Sequence, residues 1–215
     1  MNDDLMLAIR KNYDQLAAEY ARHLFDELRH KPLDQQLLDR FATQLRGRGE
    51  VCDMGCGPGH VARYLRDAGV SVLGLDLSPG MLEQARKLNP DIPFQLGNMM
   101  SLNIPNGTLA GIAAFYAIVN LPRESLPLIF REMARVLQPD GLLLLAFHAG
   151  DEVVHVDELW EQQISMDFVF FQPQDVGLCL EAAGFAVEQI IEREPYPEVE
   201  YQSRRAYIFA RKPTS

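Results

Sequence analysis

The stretch EVCDMGCGPGHVARYL, residues 50–65, carries glycines at 55, 57 and 59 between an apolar run and a helical pattern. Glycine loses more backbone freedom on folding than any other residue. Three of them at alternate positions mark a chain that turns sharply, or that something approaches too closely for side chains. An apolar run, a glycine loop and an amphipathic helix read as a strand–loop–helix unit. Such a loop presents backbone N–H groups, and the helix behind it offers its positive end to a ligand.

The same alternation continues on the C-terminal side. VSVLGLDL, SPGMLEQARKL, IPFQLG, GIAAFYAIV, LPLIFREMARVL and GLLLLAF follow as strand-like and helix-like runs in turn. Continuous apolar strands between amphipathic helices imply a parallel sheet buried on both faces. The end differs. The helical PQDVGLCLEAAG leads into FAVEQIIERE and SRRAYIFARK with no helix between them, which predicts an antiparallel pair at the sheet edge. On the N-terminal side, Leu5, Ile9, Tyr13, Leu16, Tyr20, Leu24 and Leu28 form one helical stripe that Pro32 ends or redirects. A second helix carries Leu33, Leu37, Leu38, Phe41 and Leu45. The reading is one domain: a helical cap over 1–46 and an α/β body over 47–215. Within the body, 148–171 is a long insertion whose Trp160, Phe168, Phe170 and Phe171 suit a substrate lid or packing on the sheet.

Composition narrows the function. The 215 residues suffice for one full-sized domain. Thirty acidic against twenty basic residues give a net charge of −10, which disfavours a nucleic-acid partner and fits a small molecule. Three cysteines make no disulfide framework and suit a reducing cytoplasm. Cys52 and Cys56 lack a histidine or second cysteine pair at zinc-like spacing, so they read as buried apolar residues, and no metal is expected. No run is long and apolar enough to span a bilayer, and the acidic start MNDDLMLAIRKNYD has no signal-peptide pattern. The expectation is a cytoplasmic protein, monomer or homodimer, without membrane or nucleic-acid partners.

Open α/β sheets bind ligands at the carboxyl ends of their strands. The glycine loop borders that crevice, and Asp76 ends the second strand, where a carboxylate can accept hydrogen bonds from two ribose hydroxyls. GPGHVA formally fits the dinucleotide fingerprint, so an NAD(P)-binding oxidoreductase is the alternative. Counted from Gly55, however, the sixth residue is His60, where glycine or alanine is needed. Asp53, just before the loop, would repel a pyrophosphate and suits a cation.

VCDMGCGPGH, GLDLSPGML, LGNM, IFREMARVLQPDGLLLLAF, LEAAGF and AYIFARK resemble, in order and spacing, the motifs of the class I S-adenosylmethionine (SAM)-dependent methyltransferases. The resemblance implies a Rossmann-like, doubly wound, mostly parallel seven-stranded sheet of order 3-2-1-4-5-7-6, its last strand antiparallel. It implies Asp53, Gly55, Cys56, Gly57 and Gly59 around the methionine part of SAM and Asp76 on the ribose. Leu77 and Met81 would flank the adenine, with Asn98 and Met99 at its edge. Phe115 and Tyr116 would lie beside the sulfonium, and Tyr20 would reach the methionine carboxylate from the N-terminal helix. Three positions depart from the pattern: Asn98 and Ala110 stand where aspartate is common, and Asp140 where glycine is.

Methyl transfer to an O, N, S or C acceptor is an in-line displacement that leaves S-adenosylhomocysteine, so the protein mainly positions two reactants. FYAI after the fourth strand lacks the motif of DNA amino-methyltransferases, which leaves a small-molecule acceptor. A non-catalytic SAM-binding protein is the third reading. Tyr116, Asn120 and His148 fall at the acceptor end, with Tyr116 and His148 the catalytic candidates. His148 is the candidate general base; a histidine at a strand end also serves as hydrogen-bonded structure. The acidic EREPYPEVE reads as a solvated hairpin loop.

Overall fold

Strand β1 (Glu50–Met54) shows how one sequence feeds two buried layers. Cys52 and Met54 face one side of the sheet and Val51 the other, all fully buried. The computed structural model describes residues 3–214. β1 pairs in parallel with β2 (Ser71–Asp76) and β4 (Leu109–Phe115); β2 pairs with β3 (Phe94–Leu96), and β4 with β5 (Leu137–His148). Helices α3 (His60–Asp67), α4 (Pro79–Leu88) and α5 (Leu126–Val136) make the crossovers. The chain then forms a separate two-stranded ribbon, β6 (Val153–Leu159) and β7 (Gln162–Val169), before α6 (Pro173–Ala182). It closes with β8 (Ala186–Arg193) and β9 (Arg205–Arg211), and β9 runs antiparallel to both β5 and β8.

The seven-stranded sheet has the order β3-β2-β1-β4-β5-β9-β8. With the ribbon set aside, this is the expected 3-2-1-4-5-7-6. Alternate side chains divide the core between the two faces. Met54, Leu75, Ile112 and Leu145 pack under α5 and α6, whereas Val51, Val72, Ala113 and Leu144 pack under α2 (Pro32–Leu45) and α3.

The N-terminal stripe forms α1 (Asp3–Leu24) and stops before Leu28, which lies in a 3-10 turn over Glu27–His30. Pro32 opens α2 at its first turn, where its missing N–H costs nothing. The insertion differs most from expectation: 153–169 is a hairpin, not a long irregular loop. VVHVDEL and QQISMDFV carry the two-residue alternation of half-buried strands, and Trp160 and Glu161 at the tip both have positive φ, the geometry of a tight hairpin turn. Asp140, where the family pattern has glycine, also takes a positive φ of 63°, and its carboxylate pairs with Arg48 and Arg211.

Candidate active site

The loop after β1 is tied to β2. The N–H groups of Gly55 and Cys56 donate to the Leu75 carbonyl at 2.7 and 3.1 Å. The Asp76 carboxylate accepts from Gly57 N–H and from Ser78 N–H, both at 2.8 Å. Burial pushes the Asp76 pKa up, and these backbone donors pull against it. Ser78 caps α4 by accepting from Met81 N–H at 3.0 Å, and donates its own hydroxyl to Asp14 of α1 at 2.6 Å. The same Asp14 oxygen accepts from Gly80 N–H at 2.8 Å, so α1 is pinned to the start of α4 beside the loop.

The three glycines are required for different reasons. A Cβ on Gly59 would come within 2.8 Å of both the Asn89 amide and the Phe94 ring, and one on Gly55 within 2.6 Å of the Ala117 Cβ. The neighbours of those two are protein. Gly57 (φ +50°) faces open space, with the Tyr20 ring 3.7 Å from where its Cβ would be. A cavity lies there at the carboxyl ends of β1, β2 and β4, under α1.

The structure brings most of the expected cofactor residues to this cavity. Gly55, Gly57 and Asp76 form one wall; Leu77, Met81, Asn98 and Met99 form another; Phe115, Tyr116 and Tyr20 complete it. Asn98 uses its side-chain oxygen locally, accepting from Met100 N–H at 2.9 Å, so its amide is the free end. Asp53, Cys56 and Gly59 are not among the lining residues. The Asp53 carboxylate, 1% exposed, accepts from Ala62 N–H at 2.8 Å in the first turn of α3, and burial raises its pKa to about 7. It braces the loop from behind. Cys56 is buried against Gly74, where an added Cβ would lie 3.0 Å from the cysteine sulfur.

Tyr13, Tyr20 and Tyr116 are shared with a second cavity of about 250 Å³. One of its walls is the inner face of the hairpin, including Val154, Val156, Met166 and Phe168. Trp160 at the hairpin tip meets Tyr20 edge-on at 5.7 Å and stacks on His23 at 4.8 Å. The other end is polar: Glu27, Lys31, His148, Glu200 and Arg205. Four of these are almost solvent-free, with side-chain exposures of 4% for Lys31, 15% for Glu27, and 3% for both Glu200 and Arg205. Lys31 bonds Glu27 at 2.6 Å and lies 3.5 Å from Glu200; Arg193 and Arg205 also pair with Glu200. Despite their desolvation, Glu27 is held down to about 2 by His60 and Lys31, and Glu200 to about 2 by Arg193, the Tyr196 N–H, Arg205 and Lys31. The 194–204 loop is therefore not the solvated segment its acidic sequence suggests: Glu200 anchors it inward, and Val199 and Tyr201 line the cavity. Nothing in EREPYPEVE marks Glu200 apart from the other glutamates; Arg193 and Arg205 reach it from the two strands that flank the loop, and Lys31 from the N-terminal part of the chain.

Tyr116 stands at the junction. It has a left-handed φ of 54°, costly for an aromatic residue and typical of strain held at a functional position. Its ring lies between the Lys31 ammonium (5.6 Å) and the Arg205 guanidinium (5.5 Å), and its buried hydroxyl has no hydrogen-bond partner. His148, at the end of β5, lines the second cavity rather than the first. Its Nδ1 lies 2.8 Å from Arg205 Nη1 and 2.8 Å from Ser203 Oγ, and its ring stacks on Phe170 at 4.9 Å. Burial and the neighbouring Arg205 push its pKa down to about 3. A guanidinium only donates, so Nδ1 accepts, and the proton of the neutral ring sits on Nε2. Asn120 accepts from the Tyr13 hydroxyl at 2.6 Å and donates to the Asp167 carbonyl at 2.8 Å, which links α1 to the hairpin.

A family profile described as "Methyltransferase domain" matches residues 51–141, the segment from β1 into β5 that carries the loop, Asp76, Asn98 and Tyr116. This match, together with methyltransferases among the relatives and structural neighbours, supports a class I SAM-dependent methyltransferase family. It is 30% identical over 113 residues to a malonyl-[acyl-carrier protein] O-methyltransferase of Serratia marcescens, covering 53% of this chain and 44% of that one. It is 36% identical over 132 residues to a trans-aconitate 2-methyltransferase of Methylobacterium nodulans, covering 59% and 47%. The chain thus spans about half the length of these curated relatives. Among solved structures, the DhpI–SAH complex superposes with a TM-score of 0.75 at 18% identity over 100% of both chains, so the methyltransferase fold accounts for the cap and hairpin as well as the sheet. The cofactor of that family is SAM, and the site geometry is compatible with it: a backbone cradle without side chains at Gly57, the buried Asp76 carboxylate beside it, and largely apolar walls. Among the described residues no cluster could hold a metal ion, and no helix is long and apolar enough to cross a membrane.

Proposed function

We infer that this chain transfers a methyl group from SAM to a small molecule held in the second cavity. The observation that carries the reading is the pair of adjoining cavities that share Tyr13, Tyr20 and Tyr116, one glycine-lined with Asp76 and the other largely apolar. Bound SAM supplies an activated methyl on a sulfonium. The residues of this chain bind, orient and exclude water. Gly55 and Gly57 admit the ligand against the backbone, with Tyr20 opposite. Asp76 grips the ribose, Leu77 and Met81 enclose the adenine, and Asn98 and Met99 meet its edge. Phe115 and Tyr116 hold the end of the ligand toward the second cavity. Asp53, Cys56 and Gly59 set the loop's shape from behind. The hairpin, with Trp160 at its tip, serves as the wall that keeps the acceptor dry. His148 acts as a neutral hydrogen-bond donor through Nε2 rather than as a base, because Arg205 occupies Nδ1.

One observation weighs against a nicotinamide dinucleotide. The Gly57 N–H, which a pyrophosphate would need, is taken by the Asp76 carboxylate. A cavity beyond Tyr116 also favours an enzyme over a protein that only binds SAM. The names of the curated relatives that specify an O-methyltransferase favour an oxygen acceptor. Calorimetry with SAM, S-adenosylhomocysteine and NAD tests the reading. Binding of the first two and not the third is expected; NAD binding without SAM binding overturns it.

A further inference from the structure

The polar end of the acceptor cavity holds donors in excess of free acceptors. Arg205 is 2% exposed, and its Nε, 3.4 Å from the Glu200 carboxylate, makes no hydrogen bond; the Tyr116 hydroxyl is likewise buried and unpartnered. An unmet buried donor in a cavity wall calls for an acceptor that a ligand can bring. His148 adds a third donor through Nε2. The two carboxylates at this end are already engaged: Glu27 with Lys31 and His60, and Glu200 with Arg193, Lys31, Arg205 and the Tyr196 N–H.

We propose that the methyl acceptor is a small apolar carboxylic acid whose carboxylate is held by Arg205, Tyr116 and His148 and is methylated to its ester. The proposal rests on the methyl-transfer reading above. A carboxylate oxygen is an acceptor with no proton to lose at neutral pH. The oxygen forms a bond to the methyl carbon as the carbon–sulfur bond breaks, and that bonding pair stays on sulfur. The sulfonium becomes a neutral thioether, the carboxylate a neutral ester, and no proton moves. Other nucleophiles fit less well. An alcohol or phenol must give up a proton, and Tyr116 and His148 are both poor proton acceptors here. A tertiary amine or thioether would become cationic beside Lys31 and Arg205. The body of the acid is limited by the space: an engineered cavity of about 150 Å³ takes benzene, so about 250 Å³ takes a ring with a short chain. Its walls of valine, methionine and aromatic rings ask for hydrocarbon.

The test uses the full-length protein saturated with S-adenosylhomocysteine, and titrates 4-phenylbutyrate, its primary amide, 4-phenylbutylamine and 4-phenylbutanol by calorimetry. Turnover with SAM is followed for the same compounds by mass spectrometry. The carboxylate is expected to bind at least about tenfold tighter than the amide, the scale of a hydrogen bond to a charged partner, and to give a product that dilute alkali cleaves back to the acid. In Tyr116→Phe the preference should fall several-fold, and in Arg205→Met it should vanish. Should Arg205→Met fail to fold, Tyr116→Phe carries the test. Equal binding of acid and amide, or methylation of the alcohol or amine instead, overturns the proposal while SAM binding still supports the methyltransferase reading. Absence of SAM binding removes both.

Discussion

Glu200 holds the acceptor cavity together, and replacing it by glutamine measures how firmly. The carboxylate accepts from Tyr196 N–H at 2.8 Å and pairs with Arg193, while Lys31 and Arg205 lie 3.5 and 3.4 Å away. Glutamine preserves the volume and one acceptor but removes the charge, leaving three cations facing Glu27 and Asp34. Breaking a buried pair by removing one partner costs about 3–5 kcal/mol; with the acceptor retained, the lower end applies. A loss of about 3 kcal/mol lowers Tm by roughly 6–12 °C in a chain of this size. The pH dependence has a definite sign. The folded protein holds Glu200 at about 2, below its ordinary 4.5, so its contribution is complete above pH 4.5 and is lost as the pH falls through about 2. Urea unfolding of wild type and Glu200→Gln should therefore differ by a constant amount from neutral pH down to about pH 5, with the gap narrowing below. A gap under about 0.5 kcal/mol at neutral pH, or one that does not narrow in acid, refutes the claim that this charge organises the site.

Asp76→Ala should weaken SAM binding by about 1–3 kcal/mol in calorimetry, the scale for removing a charged hydrogen-bond partner; unchanged affinity removes Asp76 from the ribose site. Asp14→Ala frees α1 from Ser78 and Gly80. Hydrogen exchange in α1 should rise and SAM should dissociate faster; unaltered protection would make the contact incidental. Gly59→Ala places a Cβ against Phe94 at a left-handed φ, so it should cost roughly 1–3 kcal/mol of stability by urea unfolding. Gly57→Ala should cost less stability and more SAM affinity, because its Cβ enters the cavity. Turnover of a carboxylate acceptor should stay level from about pH 6 to 9, because His148, pulled down to about 3, does not titrate there; a slope approaching tenfold per pH unit would show a base at work.

The parts of the site legible in the sequence are those made by one strand and the loop that follows it. The glycine loop, Asp76, Asn98 and Tyr116 each follow a strand end, and a parallel sheet places all its strand ends on one edge. The motif order alone therefore brought them together. Its meaning for single residues was less secure. Asp53 and Gly59 belong to the motif, yet Asp53 serves the first turn of α3 and Gly59 the packing of Phe94. Spacing records that a residue type is needed and not which neighbour needs it. The hairpin was open to view in the alternation of VVHVDEL and was obscured by its aromatics, which read as an irregular insertion. The charged end of the acceptor cavity had no local signal at all. Glu200 sits in an acidic loop and Arg205 opens the strand after it, but Lys31 precedes a helix 169 residues before Glu200, and that separation closes only in the fold.

That cluster explains why one sheet can serve different acceptors. On the proposed reading SAM recognition rests on the inner strands β1, β2 and β4, whose side chains feed both buried layers of the core. Acceptor recognition would rest on α1, the 3-10 turn, the hairpin and the 194–204 loop, which line the second cavity. Charges there can be exchanged in pairs without repacking the core, because Lys31 and Arg193 each answer a buried carboxylate from another segment, Glu200 and Asp34. The chemistry of the acceptor should follow whichever donor is left without a hydrogen bond. In this chain those donors are the Arg205 Nε and the hydroxyl of Tyr116, a residue held in a strained conformation at the boundary of the two cavities. Replacing Arg205 together with Glu200 by neutral residues of similar size should then preserve the fold and SAM binding while abolishing the preference for an acid. Loss of SAM binding in that double variant would show that the two halves of the site are not separable.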